Sequence, residues 1–465
     1  MDTMVASLGV DRARRHQRID GFGFCEGFGR ARILRGSQGL PAEAAGEVLE
    51  LLLGPRGAAL SILRLCIGAS ALEGPGEMRS FAAVGPGSPD EPLVYDWDGD
   101  DAGQVWLARQ AATFGVRRFF AHPLSAPAYM LHRPGGRYDG LIRGMRGTGT
   151  EAGDWRAAYA EYLLQYVRYY AAHGVDITDL GIAHQPDVLH HRPGQRIRYP
   201  LLKLEPADVV DLVSSIGARI AHAGPDVKLV CGDAISWDSQ VEYTAAVEAD
   251  EVAAGYVGLH AGNSYLTPAR RPLPTTRPTW MTEWDPEVDQ QSTRWNDAWD
   301  SGRASDAILL ADDIHGALTA ANVSGYLYLF GASARESTRA LIQLAGPTFH
   351  VSRRLWAMAA YSRFIRPGAH RVDARLTPDD GRLKVSAFTG PDSRVVLQAL
   401  NLGDRGADFT VALSPALPAA TVHAWLTDER HTLAPLAPRS TADVHHVPAR
   451  SLTTFQLGPD ASRER

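Results

Sequence analysis

Eight short apolar runs recur along the chain, and longer segments with helical spacing lie between them. The runs are 21–28 (GFGFCEGF), 60–67 (LSILRLCI), 117–122 (RRFFAH), 180–183 (LGIA), 227–232 (VKLVCG), 256–261 (YVGLHA), 279–284 (TWMTEW) and 325–330 (GYLYLF). Helical patterns fall at 42–53, 103–114, 155–173, 205–223, 304–321 and 349–365. Continuous apolar strands alternating with amphipathic helices mark parallel βαβ units, in which helices cover both faces of the sheet. Eight such units close into a (β/α)₈ barrel. An open doubly wound sheet is the competing arrangement, but the first strand is followed by no Gly-rich phosphate turn. After about residue 366 the pattern changes to short alternating strands (RLKVSAFTG, RVVLQALNLG, DFTVAL, TVHAWLTD, SLTTFQL) broken by Gly, Pro and Asp turns. That change reads as an antiparallel β-sandwich. The expected architecture is therefore α/β: a TIM barrel over 15–365 and an appended β-sandwich side domain over 366–465. The opening strand, within 1–14, has no helix after it and is expected to complete the sandwich.

Bulk properties exclude several functions. The net charge is -6 with a pI near 6.2, which gives no basis for wholesale binding to nucleic acid or to an anionic membrane. No apolar stretch reaches 18 residues, so no transmembrane helix is expected. The start, MDTMVASLGVDRARRHQ, lacks the apolar core of a signal peptide. The expectation is a cytoplasmic chain, or an exported one whose signal was removed. Cys25, Cys66 and Cys231 have no paired metal-type spacing and read as small buried hydrophobes.

In a barrel of this kind, side chains at the C-terminal ends of the strands face the substrate. The fourth run ends beside His184, Gln185 and Asp187, and the seventh ends at Glu283 and Trp284. Retaining cleavage of a glycosidic bond needs two carboxyl groups about 5 to 5.5 Å apart, one as acid/base and one as nucleophile. Glu283 is a candidate for the second; the same residue read alone could be a structural ion-pair partner.

Longer blocks carry a family resemblance. QRIDGFGFCEGFGRA (17–31), LSILRLCIGAS (60–70), HPLSAPAYM (122–130), PTWMTEWD (278–285) and VSRRLWAMAAYSRFIRPGAHRV (351–372) resemble glycoside hydrolase family 30. The branch concerned includes xylanases and glucuronoxylanases, with endo-β-1,6-galactanases as relatives. The resemblance runs in order over nearly the whole chain and implies a barrel with a side β-sandwich, agreeing with the pattern above. It implies that Glu283 is the nucleophile, that Gln185 stands in the acid/base place, and that Arg64 orients the nucleophile. It also carries Glu26 and Asp187 over as motif residues of the substrate site, implies a polysaccharide or oligosaccharide substrate, and points to an exported protein.

The departures are equally specific. Where the family has Asn-Glu, this chain has His184-Gln185. An amide cannot donate a proton to a leaving group, and His184 is the candidate substitute donor. Leu124, Leu327 and Leu329 stand where aromatic sugar platforms are expected. His260 and Tyr265, on the sixth-strand loop, are candidates to hydrogen-bond Glu283 or a sugar hydroxyl, or else satisfied rim residues. Trp284 is a candidate sugar contact. The loops 132–147 and 190–200 carry Arg133, Arg137, Arg143, Arg146, Arg192, Arg196 and Arg198, a set suited to a uronate-bearing glycan or simply to solvent. His184, His190 and His191 sit in loop context without a helix-spaced carboxylate, so no metal is expected, and no cofactor is called for. Three readings stay open: a retaining β-glycosidase, a carbohydrate-binding pseudo-glycosidase, and an interaction protein with a vestigial cleft.

Overall fold

The computed structural model describes residues 5–73, 77–133, 140–149, 153–191, 199–223, 227–285, 292–296, 307–334, 338–379, 381–417 and 421–458. Eight parallel strands close into a barrel: Gly21–Cys25, Ile62–Ile67, Arg118–Pro123, Asp179–Gly181, Lys228–Ala234, Val257–Asn263, Thr279–Glu283 and Gly325–Phe330. They are called here the first to eighth barrel strands. Each falls on one of the eight apolar runs, and the fold class read from the sequence is the one observed.

The second strand shows why the runs read as continuous. Leu63, Leu65 and Ile67 pack outward among the helices, while Ile62, Arg64 and Cys66 alternate to the interior side. Both faces are buried, so no polar phase appears in the sequence. Helices such as Ala42–Leu53 cover the outside, burying Ala45, Val48, Leu49, Leu52 and Leu53 at three- and four-residue intervals. The helix Trp237–Glu248 was not legible, because its buried face mixes Gln240 and Thr244 with Trp237, Tyr243 and Val247 and so interrupts the apolar period.

Ile62, Phe120, Val230, Leu259, Ala261, Trp280 and Leu327 interlock inside the barrel as an apolar plug. Below it, Arg118 is ion-paired to Asp20 (2.6 Å) and Asp179 (2.9 Å), and its guanidinium lies 4.4 Å from the centroid of the Trp280 ring. Trp280 Nε1 donates to Asp20 at 2.9 Å. The plug is the floor on which the polar groups of the C-terminal mouth rest.

The strand Ala6–Arg18 lies between His370–Thr377, to which it is antiparallel, and Ala407–Ser414, to which it is parallel. It continues past residue 14 to Arg18 because two register irregularities, at Asp11/Arg15 and Arg15/Arg18, let it bend toward the first barrel strand. Leu8 and Val10 join Val372, Leu397, Phe409 and Phe455 in a separate core. The strand Val395–Asn401 is buried on both faces: Leu397 and Ala399 face that core, while Val396 and Leu400 belong to the barrel's core. Gln398 Nε2 donates to the carbonyl of Ala360 in the helix Arg353–Ser362 at 2.7 Å, which pins the sandwich to the barrel.

Trp280→Ala removes the largest side chain of the plug. The expected cost is about 3 to 5 kcal/mol, read as a lower urea midpoint with an unchanged slope; a loss below about 1 kcal/mol would mean that the plug does not carry this load.

Candidate functional site

Arg64, from the second strand, is fully buried at the centre of the mouth. Its Nη1 donates to Oε2 of Glu283 and, at 3.2 Å, to the carbonyl of Thr282. Its Nη2 donates to Oδ2 of Asp233 at 2.5 Å. Burial would depress the guanidinium's pKa, but the Asp233 and Glu283 carboxylates outweigh it and push it up. At Asp233, burial raises the carboxyl pKa, while Arg64 and a hydrogen bond from His184 hold it below the ordinary range. One guanidinium thus fixes two buried carboxylates.

Strand irregularities aim both acids inward. Gly232 and Asp233 have positive φ (97° and 71°), and the register shifts between Gly232 and Ala234. A Cβ at Gly232 would lie 2.1 Å from Nε2 of Gln240, a helix residue on the outer side, so the bulge turns Asp233 to the interior. The seventh strand shifts register between Met281 and Glu283. Thr282 and Glu283 consequently both reach the mouth, and Thr282 donates to Asp233 Oδ1 at 2.6 Å.

The other oxygen of Glu283 faces different donors. Tyr265 donates to Oε1 at 3.0 Å, and burial pushes its phenol pKa well up, keeping the proton in place. Gln185 Nε2 is 3.4 Å from the same oxygen and 2.9 Å from Oδ1 of Asn263. Tyr199 donates to Gln185 Oε1. Gln185 has φ 45°, and its backbone N–H donates to the Asp233 carbonyl at 2.9 Å. The amide is held at both ends. His184 has Nδ1 at 2.8 Å from Asp233 Oδ2 and Nε2 at 3.8 Å from Glu283 Oε2, the oxygen that Arg64 holds.

Five of the residues singled out from the sequence therefore meet: Glu283, Gln185, His184, Arg64 and Tyr265. The others do not. His260 is turned away from the mouth. Along the sixth strand Leu259, Ala261 and Asn263 face inward, so His260 faces the helices and its Nε2 pairs with Glu248 at 2.8 Å. Glu26 accepts the N–H groups of Gly331 (2.9 Å) and Ala332 (3.1 Å), tying the first strand to the segment after the eighth; burial pushes its carboxyl pKa well up. Asp187 accepts the Ile235 N–H at 2.8 Å and lies 3.3 Å from His191. The Trp284 ring meets Tyr328 edge-on at 6.2 Å.

Leu327 is part of the plug, whereas Leu124 and Leu329 belong to a separate buried apolar cluster with Cys25, Cys66, Met78 and Phe330. All three cysteines are free and buried; Cys25 and Cys66 have Sγ atoms 3.5 Å apart. The loop histidines separate, His190 to Glu205 (3.1 Å) and His191 to Ser239 (2.7 Å). Of the loop arginines, Arg143 donates through Nε to the Leu131 carbonyl at 3.0 Å and Arg146 is exposed; Arg137, Arg192, Arg196 and Arg198 lie outside the described residues. Sequence reasoning missed Asp233, Asn263, Thr282 and Tyr199. Asp233 was within reach, since it follows the fifth apolar run as Glu283 ends the seventh.

Two surface cavities of 440 and 470 Å³ lie elsewhere, on the sandwich and at the N-terminal end of the barrel. In this fold that end contributes stability. The convergent charged groups are at the mouth, which makes it the candidate site.

Residues 368–455 match the model of the glycosyl hydrolase family 30 β-sandwich domain. The structure is similar to the catalytic domain of the family 30 xylanase C from Talaromyces cellulolyticus, with 30% identity and a TM-score of 0.85 over 97% of this chain and 100% of that one. The chain is 26% identical over 314 residues to a glucuronoxylanase of Bacillus subtilis strain 168, covering 64% of this chain. That match spans 65% of the relative's own length. An endo-1,6-β-D-glucanase of Trichoderma harzianum is 25% identical over 272 residues, 56% of this chain and 52% of the relative.

Asp233 titrates below the ordinary range in the fold, so its contribution to stability is complete above its unfolded pKa of about 3.9 and is lost as pH falls through the lower native value. Asp233→Asn is expected to cost on the order of 3 kcal/mol at neutral pH, and the gap to wild type should narrow as pH drops below about 3.9. Urea unfolding at several pH values measures this; a gap that holds constant into acid would remove Asp233 from the ion-paired cluster.

Proposed function

The chain belongs to glycoside hydrolase family 30, and from that premise we propose that it is a retaining β-glycosidase with Glu283 as nucleophile. It takes sugars of the xylan, glucuronoxylan or β-1,6-linked galactan or glucan kind into the barrel mouth. The observation that carries this is the state of Glu283. One carboxylate oxygen takes Arg64 and the other takes Tyr265, so the group is oriented from both sides by hydrogen bonds. A vestigial cleft gives little reason to keep this arrangement, since a buried ion pair is poor value for stability alone.

Gln185 limits what the nucleophile can achieve. In a retaining mechanism the partner carboxylic acid protonates the departing oxygen and later deprotonates water. The Gln185 amide does neither. The hydrogen bond from Gln185 to Glu283 further favours a second reading, a carbohydrate-binding pseudo-glycosidase that holds a glycan without cutting it.

Gln185→Glu tests both. It sets a second carboxyl group against Glu283, and like charges at that range raise one pKa, the condition a general acid requires. Reducing-sugar release from xylan, glucuronoxylan, β-1,6-galactan and β-1,6-glucan is expected to be roughly 10² to 10⁴ times faster in the variant than in wild type. Equal rates would mean that another group supplies the proton, with His184→Ala as the next variant. No release by the variant from any of these glycans would sink the assignment of the acid/base place.

The arginine-rich segments 132–147 and 190–200 suit uronate substituents. Affinity for glucuronoxylan should therefore fall as ionic strength rises from about 0.01 to 0.15 M, a span over which the screening length shrinks from about 30 to about 8 Å. Salt-independent binding would refute uronate recognition.

A further inference from the structure

The groups around Gln185 are each committed elsewhere. His184 holds Asp233 through Nδ1, and its Nε2 sits 3.8 Å from the nucleophile oxygen that Arg64 also holds. It therefore stands beside the nucleophile, where a retaining site needs its acid across the bond. Tyr265 donates to Glu283 itself. Tyr199 donates to the Gln185 carbonyl oxygen, and a phenol keeps its proton at neutral pH. Glu26 accepts backbone N–H groups with both oxygens, and Asp187 accepts one with Oδ1 while its Oδ2 faces His191 at 3.3 Å. The nucleophile is built, and among the described residues no group beside Gln185 is placed to supply the proton.

From this asymmetry we infer that the bond this site breaks is one whose aglycone leaves as a stabilised anion: an aryl, enol, acyl or thio-linked β-glycoside in place of a sugar–sugar bond. The inference rests on the reading of Glu283 as nucleophile. In the first step a Glu283 oxygen bonds to the anomeric carbon as the bond to the aglycone breaks, and the electron pair departs with the aglycone oxygen or sulfur. No proton is required, because the leaving anion is stable in water. In the second step an acceptor attacks the anomeric carbon and releases the Glu283 carboxylate, with net retention. Water in that role needs a base to take its proton, and Gln185 cannot serve. A small anionic nucleophile needs none, so such anions are the preferred acceptors. Loss of general acid–base assistance costs about 10² to 10⁴ in rate, and the cost falls on poor leaving groups.

The test uses the wild-type full chain. Phenyl, 4-nitrophenyl and 2,4-dinitrophenyl β-glycosides of xylobiose, glucose and galactose are compared, with and without sodium azide, and intact mass follows any glycosyl adduct. The expected result is a steep series, the dinitrophenyl glycoside reacting at least about 10³ times faster than the phenyl one. Azide should accelerate turnover and yield the β-glycosyl azide, while Gln185→Glu should flatten the series and lose the azide response. Glu283→Gln should form no adduct. A flat wild-type series with an adduct on Glu283 overturns the inference and leaves the nucleophile standing, with Tyr199→Phe as the probe of the unexpected donor. Turnover by Gln185→Glu alone also overturns it, while sparing the reading of the site. Absence of any adduct or turnover in both proteins removes Glu283 as nucleophile and the inference with it.

Discussion

Arg64 is the group on which the mouth of the barrel depends. It emerges from the middle of the second strand, immediately above an apolar plug, with no exposed surface of its own. An unpaired guanidinium there would be prohibitively costly, so its two carboxylates are structural requirements before they are anything else. Asp233 and Glu283 answer that requirement from the fifth and seventh strands, and each is aimed by a local break in strand regularity. The bulges bend the strands where the barrel opens, which is where such features re-aim side chains.

That arrangement separates stability from chemistry within one cluster. Asp233 is shared among Arg64, His184, Asn263 and Thr282, so its anion is fully satisfied and chemically quiet. Glu283 has the same guanidinium on one oxygen but looser polar contacts on the other, and its side chain keeps 7% of its surface exposed. The carboxylate edge is thus reachable from the mouth while its charge is held by a partner that cannot deprotonate. His184 is drawn into the Asp233 side of the cluster. Its neighbour Gln185 occupies a left-handed backbone conformation, an uncommon state for a side chain of this kind, stabilised by its N–H bond to the Asp233 carbonyl. His184 and Gln185 together belong to one self-consistent hydrogen-bond network around Asp233, Asn263 and Tyr199.

The alternation of apolar runs with helical segments determined the barrel, its strand order and most of its helices, because each of these follows from local periodicity and short connections. The change of pattern after residue 366 likewise determined the sandwich. That Glu283, Arg64 and Gln185 come together was legible from strand ends and from the family resemblance. What the sequence could not carry was the phase of each strand. In a parallel barrel both faces of a strand are buried, so hydrophobicity does not mark which residues turn inward. His260 was placed near the site on that account, and the closed barrel puts it against Glu248 instead. Asp233 and Glu283 reach the mouth only through register irregularities that appear once neighbouring strands are paired, and Asn263, Thr282 and Tyr199 matter only because those carboxylates and Gln185 arrive beside them. Pairing is a property of the closed sheet, and so the composition of the site was decided by tertiary structure.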